Sequence, residues 1–229
     1  MRTALLSDVH GNLAALRAVL EEAELERPDR YAFGGDAALF GPEPAACVDV
    51  LRGLGDRLVA IRGNTDRYIA ERTRPDWAAW PDDAATWSRD RLGEERIGWL
   101  EALPPTAVLA EHGCLLVHAT PSSDEDVVVP DTPDDEAALL IGNVDQPRVL
   151  YGHVHIQHRR PLGAVELVNP GSVGLPFDGD RRAAWALLDD DRLELRRTAY
   201  DADGVIAALL ADPYPGVETA IRRLRDAAS

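Results

Sequence analysis

Three times before Arg67, a short β-prone run breaks at a knot of glycine and polar residues. Thr3–Ser7 ends at Asp8-Val9-His10-Gly11-Asn12, Tyr31–Phe33 at Gly34-Gly35-Asp36, and Arg57–Ile61 at Gly63-Asn64-Thr65-Asp66. Helical patterns run between them. Leu13, Leu16, Val19, Leu20 and Leu25 recur at helical spacing, and Pro42 and Pro44 open a second helix carrying Val48 and Leu51. Strand, loop and helix in alternation predict right-handed βαβ units and a parallel sheet. In such sheets ligand sites form at the carboxyl ends of strands, which is where these polar knots fall.

The rest of the chain reads differently. Residues Arg67–Leu103 hold four of the five tryptophans (Trp77, Trp80, Trp87 and Trp99), so a helical insert over the sheet is expected, its tryptophans anchoring short helices to the core. Thr106–Ala110 and Cys114–Val117 flank a His112-Gly113 turn and read as a hairpin, with His112 exposed. Ser122–Glu136 carries seven acidic residues and two prolines and reads as a solvated, mobile loop. Arg148–Tyr151 is a strand that stops at Gly152-His153-Val154-His155. Two further hairpins pair His158–Pro161 with Ala164–Val168 and Ala183–Leu188 with Leu193–Thr198. Helices near Asp201–Leu210 and Gly216–Ala227 close the sequence. Without an internal repeat or linker, residues 1–229 read as a single domain.

Composition excludes several functions. With 40 acidic and 24 basic residues the net charge is −16, against general nucleic-acid binding or docking on anionic lipid. Every basic residue is arginine, which rules out Schiff-base lysine chemistry and a P-loop lysine. Cys47 and Cys114, the two cysteines, are too few for a thiolate metal site and are expected in the core. The start is too short for a signal sequence and no apolar stretch approaches membrane-spanning length, so a cytoplasmic location is expected.

Four of the six histidines fall at strand ends. Asp8 and His10 are two apart, as are His153 and His155. In extended chain such pairs point the same way, about 7 Å apart. That suits ligands meeting two ions about 3.5–4 Å from each other. Asp36 and Asn64 follow glycines, and His118 follows the Leu115–Val117 strand. Two carboxylates, one amide oxygen and four imidazoles favour Mn, Fe, Zn, Co or Ni over Ca. Each motif alone has a plain structural explanation, such as a capping aspartate. Their joint occurrence, each at a strand end, does not.

Taken in order, these five motifs resemble those of the calcineurin-like metallophosphoesterases, and Asn169-Pro170-Gly171-Ser172 resembles a segment of their small prokaryotic phosphodiesterase branch. The resemblance covers residues 3 to about 198. It implies an α/β fold, a four-layer αββα sandwich of two mixed β-sheets flanked by helices. It also implies two divalent ions, Mn foremost. One would be held by Asp8, His10, Asp36 and His155, the other by Asp36, Asn64, His118 and His153. A hydroxide bridging the ions would attack a phosphate ester. Asn12, Asn64 and Asp66 complete the expected catalytic set, Asn12 by hydrogen-bonding a phosphate oxygen.

Thr65 departs from the larger family, where many members carry a histidine thought to assist the leaving oxygen. Threonine is no acid near neutral pH. The small phosphodiesterase branch commonly lacks this histidine too, so phosphodiesters are expected over monoesters. Two alternatives stay open. One is a scaffold on the same fold, resembling the retromer-coat subunit with its degraded metal site. The other is a nucleotide polyphosphate hydrolase, which would be expected to keep the histidine. His158 is a candidate second layer behind His155, and Arg62 and Arg159 flank the motifs as surface residues or phosphate contacts. The substrate, the native metal and the oligomeric state are left open.

Overall fold

The computed structural model describes residues 1–73, 82–190, 192–214 and 216–229. Among these, ten strands and seven helices alternate along the chain. The first part runs β1 (Arg2–Leu6), α1 (Leu13–Leu25), β2 (Arg30–Phe33), α2 (Pro44–Gly53), β3 (Leu58–Ala60), α3 (Asn64–Glu71) and α4 (Asp82–Ala102). There follow β4 (Thr106–Leu109), β5 (Cys114–Val117), α5 (Asp134–Ile141), β6 (Arg148–Leu150), β7 (His158–Leu162) and β8 (Val165–Asn169). The chain closes with β9 (Ala183–Asp189), β10 (Arg192–Thr198), α6 (Ala202–Ala211) and α7 (Val217–Asp226).

The strands form two mixed sheets, ordered β10-β9-β1-β2-β3 and β4-β5-β6-β8-β7. β1, β2 and β3 run parallel, as do β5, β6 and β8, while β9, β10, β4 and β7 pair antiparallel. The period-2 alternation of each strand sorts its side chains into layers. In β1, Ala4 and Leu6 face a core shared with α1, α2, α4, α6 and α7, whereas Leu5 joins Ala32, Leu116, Leu150 and Val168 between the sheets. On the far side of the second sheet, Val149, Tyr151 and Leu167 pack with Ala137 and Ile141 of α5. Helices, sheet, sheet and helix are therefore stacked as the αββα sandwich.

Both cysteines are free and buried, Cys47 among the helices and Cys114 between the sheets. Trp87 and Trp99 pack on the helical core as expected, while Trp77 and Trp80 lie outside the described residues. Gly93 (φ 70°, ψ 162°) kinks α4. No described helix is long and apolar enough to cross a membrane.

Two expectations are corrected. The acidic segment is not a loop throughout, because Asp134, Asp135 and Glu136 form the first turn of α5, where carboxylates complement the helix dipole. Upstream of them the segment is pinned. Asp124 and Glu125 are bound by Arg67, Val128 is buried, and Tyr151 donates its hydroxyl to the Val128 carbonyl. His112 is not fully exposed either. It is half-buried with its Nε2 2.9 Å from Thr3 Oγ1.

Candidate metal centre

All seven expected ligands come together where parallel strands of both sheets end. Asp8 and His10 follow β1, Asp36 follows β2, Asn64 opens α3 after β3, His118 follows β5, and His153 and His155 follow β6. The chain must turn sharply to point them inward. Asp8, His10, Asp36, His153 and His155 all have φ between 49° and 65°, in the left-handed region. For non-glycine residues that conformation is strained, at roughly 1–3 kcal/mol each. Such strain persists where the surroundings over-determine it, and here backbone bonds do. The Asp8, His10 and Gly11 amides donate to the carbonyls of Gly35, Asp36 and Ala37, and Gly152 donates to His118. Gly63 is required for space, since a Cβ there would collide with the Asp36 carboxylate.

Asp66 holds the Asp36 turn from below. Its carboxylate accepts the amides of Asp36 (2.8 Å), Ala37 (2.8 Å) and Gly63 (3.1 Å). In the second sheet's loops, Asn169 donates to the Gly152 carbonyl and Ser172 Oγ donates to the Asp8 carbonyl. The Asn-Pro-Gly-Ser segment thus braces the ligand turns.

Three of the four imidazoles are oriented through Nδ1. His10 bonds the Leu39 carbonyl (3.0 Å), His118 that of Gly34 (2.8 Å) and His155 that of Leu175 (2.6 Å), while the Glu125 backbone hydrogen-bonds His153. This is the outer layer that metal-binding histidines use to select a tautomer. With the Nδ1 protons of His10 and His155 donated, their Nε2 lone pairs face each other at 3.0 Å, which is unfavourable unless a cation lies against both. His118 Nε2 lies 3.0 Å from Asn64 Oδ1. Asp8 Oδ1 is 3.2 Å from His155 Nε2. Asp36 reaches both pairs, with Oδ2 3.6 Å from His10 Nε2 and Oδ1 3.6 Å from His118 Nε2. Ligand atoms of Asp8, His10 and His155, and of Asp8, Asp36 and His118, each lie within 4.8 Å of one another. The residues fit a pair of divalent ions, and the mixed nitrogen and oxygen donors suit first-row transition metals.

The electrostatics agree. Burial pushes Asp36 up to about 7, reinforced by Asp66 and Asp8. Burial also works on Asp8, but His155, His118 and His10 outweigh it and hold that carboxyl below the ordinary range. Burial holds His10 well below its usual value and brings His153 down to about 4, so both are neutral at pH 7, as ligation requires. At His118 burial is outweighed by Asp36 and Asp8, and its pKa rises.

Other expected residues take different parts. Asn12 hydrogen-bonds within the chain. Its Oδ1 caps α1 through the Ala15 amide, and its Nδ2 donates to the Gly174 carbonyl (2.9 Å) and Tyr200 hydroxyl (3.3 Å). Asp66 has its carboxylate spent on backbone amides. His158 lies away from the centre, bonded to Tyr151 (2.6 Å) and the Ile156 carbonyl. Arg159 is tied to Glu166 on the surface, whereas Arg62 lines a cleft beside His118. Thr65 is 5% exposed, donates its amide to Asp36 Oδ1 (2.9 Å), and has an unpartnered buried hydroxyl. Sequence reasoning missed Phe40, 5.5 Å from His10, and Phe177, stacked on His155 at 4.3 Å. Neither carries a sequence signal of its role.

The calcineurin-like phosphoesterase superfamily domain matches residues 1–192, and the chain belongs to that family. α6 and α7 lie beyond the match. A crystal structure of a metallophosphoesterase from Sphaerobacter thermophilus superposes with a TM-score of 0.83 at 27% identity, covering 100% of this chain and 99% of that one. Among named relatives, phosphodiesterase YfcE of Escherichia coli is 25% identical over 93% of this chain and 100% of its own length. A symmetrical bis(5'-nucleosyl)-tetraphosphatase of Glaesserella parasuis is 30% identical over 72% of this chain and 63% of its own.

Proposed function

We propose that this chain is a binuclear metal-dependent phosphodiesterase in one domain. One ion is held by Asp8, His10, Asp36 and His155, the other by Asp36, Asn64, His118 and His153. The observation that carries this reading is the Asp36 carboxylate, whose two oxygens lie equidistant from an imidazole of each cluster. When bound, two such ions supply Lewis-acid activation of water and neutralise phosphate charge. The water oxygen joins phosphorus and gives up a proton to solvent, and the ester oxygen leaves with the bonding pair and takes a proton from solvent.

The chain's own residues position and insulate this reaction. Asp66 and the left-handed turns hold the ligands, and Phe40 and Phe177 screen one end from water. Thr65 supplies no acid, so the leaving group must depart as a weak base. That supports activated diesters over alkyl monoesters, because general-acid assistance is worth about 10²–10⁴ in rate. Mn(II) is the proposed native metal and the cytoplasm the proposed location, the latter supported by two free, buried cysteines. The complete ligand set argues against a scaffold with a degraded site. Hydrolysis of nucleotide polyphosphates is the second reading, supported by the tetraphosphatase relative.

The test loads purified protein with Mn and compares kcat/KM on bis(4-nitrophenyl) phosphate, 4-nitrophenyl phosphate and alkyl monoesters. The diester should be preferred. Faster turnover of alkyl monoesters would overturn the missing-acid argument, and no turnover of any ester after Mn, Ni or Co loading would overturn the enzyme.

A further inference from the structure

Acidic residues outnumber arginines, and most partly buried guanidiniums end on a carboxylate, as Arg67 does on Asp124, Arg148 on Glu166 and Arg197 on Asp178. Among the described residues, two partly buried arginines have no hydrogen-bond acceptor for the side chain, Arg62 and Arg223. Both lie near the metal centre, but in different surroundings. Arg223 sits over the Phe177 ring, 5.3 Å from its centroid, and lines a crevice of about 10 Å³, too small for a ligand.

Arg62 lines a cleft of about 400 Å³, with Thr106, His118, Thr120, Ser122 and Asp124 among its walls. Such a volume is in the range of small-ligand sites. His118 belongs at once to this cleft and to the metal centre. The other charged group in the cleft, Asp124, is committed to Arg67 through bonds of 2.7 and 2.9 Å. Arg62 is therefore the one uncommitted charge facing this space among the described residues. An unpaired, partly desolvated guanidinium is costly to leave without an anion, and its planar fork matches phosphate oxygens.

We propose that Arg62 binds a second anionic group of the substrate, next to the phosphoryl at the metal centre, and so selects substrates carrying more than one phosphate. The proposal rests on the phosphoesterase reading and narrows its substrate class. It also answers the chemistry at Thr65. A leaving group that is itself a phosphate departs as a weak base, needs no protein acid, and is neutralised by a guanidinium.

The test measures binding to Mn-loaded protein by titration calorimetry, in metal excess, with the α,β-methylene analogue of ADP and with AMP as probes. These differ by one phosphoryl group, and the methylene bridge resists hydrolysis. Wild type should bind the diphosphate more tightly than AMP. Arg62→Ala should weaken the diphosphate by about ten- to a hundredfold and AMP by much less, the span expected of a charge-assisted hydrogen bond. Arg62→Lys should retain part of the preference, since the charge stays and the fork is lost. Arg159→Ala, which removes a surface arginine already paired with Glu166, should match wild type in both binding and activity. Equal losses for the two probes in Arg62→Ala, or no loss, would overturn the proposal. Activity on bis(4-nitrophenyl) phosphate is measured separately. An inactive wild type that still shows the Arg62-dependent preference would overturn the phosphodiesterase reading and leave the anion site standing.

Discussion

At one end of the proposed metal centre, His10 and His155 lie against aromatic rings, with Phe40 beside His10 and Phe177 stacked on His155. The crevice there, lined by His10, Asn12, Phe40 and Gly41, measures about 10 Å³. At the other end, His118, whose Nε2 lies 3.0 Å from Asn64 Oδ1, borders the cleft of about 400 Å³ that contains Arg62. The ligand types are alike, yet one end is walled and the other open. A walled end holds an ion in low dielectric and keeps water away. An open end must admit substrate, so its ligands are held from beneath by Asp66 rather than from above by side-chain packing.

The largest expected effect breaks what the ends share. Asp36→Asn should cost well over a hundredfold in activity, more than loss of an outer-layer partner of a metal ligand. It should leave less than one metal equivalent by elemental analysis. His155→Ala should empty the walled end and leave about one equivalent. Equal metal loss in both variants would show that Asp36 does not bridge.

Asp66→Ala sharpens the open end. It strands three buried amides, so stability should fall by about 2–4 kcal/mol in urea unfolding, with metal lost preferentially from the Asn64–His118 side. A wild-type unfolding curve would remove Asp66 from its supporting role.

Proton linkage tells the ends apart more gently. In metal-free protein the Asp36 carboxyl keeps a proton up to about pH 7, whereas the unfolded chain releases it near pH 4. The native state binds the extra proton, so this group makes stability fall as pH rises from about 4 to 7. His153, held near 4 against about 6.5 unfolded, works the other way and makes stability rise across about pH 4 to 6.5. A divalent ion must displace the Asp36 proton. Calorimetry in two buffers should find more protons released per molecule at pH 6, where Asp36 and His118 each give one up, than at pH 8.5. Asp36→Asn should lower the release at pH 6 by about one.

The smallest effect concerns the cleft wall. Arg67→Ala removes the clamp on Asp124 and Glu125 but leaves every ligand in place. Proteolysis between Pro121 and Asp126 should accelerate and KM should rise, with kcat nearly unchanged. A fall in kcat instead would mean that the loop's bond to His153 matters more than its shape.

Much of this was legible in the residues. The alternation of short strands with helical periodicity names the α/β architecture, and glycine beside aspartate, asparagine or histidine marks strand ends where a turn presents a ligand. Both are local properties, written into consecutive residues. The acidic segment was misread because its composition signals solvent, while its carboxylates are in fact spent on Arg67 and on the α5 N-terminus. An asparagine before a helix can cap it or contact substrate, and the sequence does not show that Asn12 also reaches Gly174 and Tyr200. Arg62 and Arg159 look alike in sequence, each beside a motif, and Glu166 alone separates them.

The sequence by itself determined which donors the proposed centre has and that strand ends carry them. Only the tertiary structure decided that His10 meets His155, 145 residues away, that five ligands adopt left-handed backbone, and that one end is walled by Phe177 while the other opens beside Arg62. The physical reason is range. Backbone turns and periodicity follow from neighbours along the chain, whereas strain, desolvation and charge pairing are set by groups that packing brings together from both sheets.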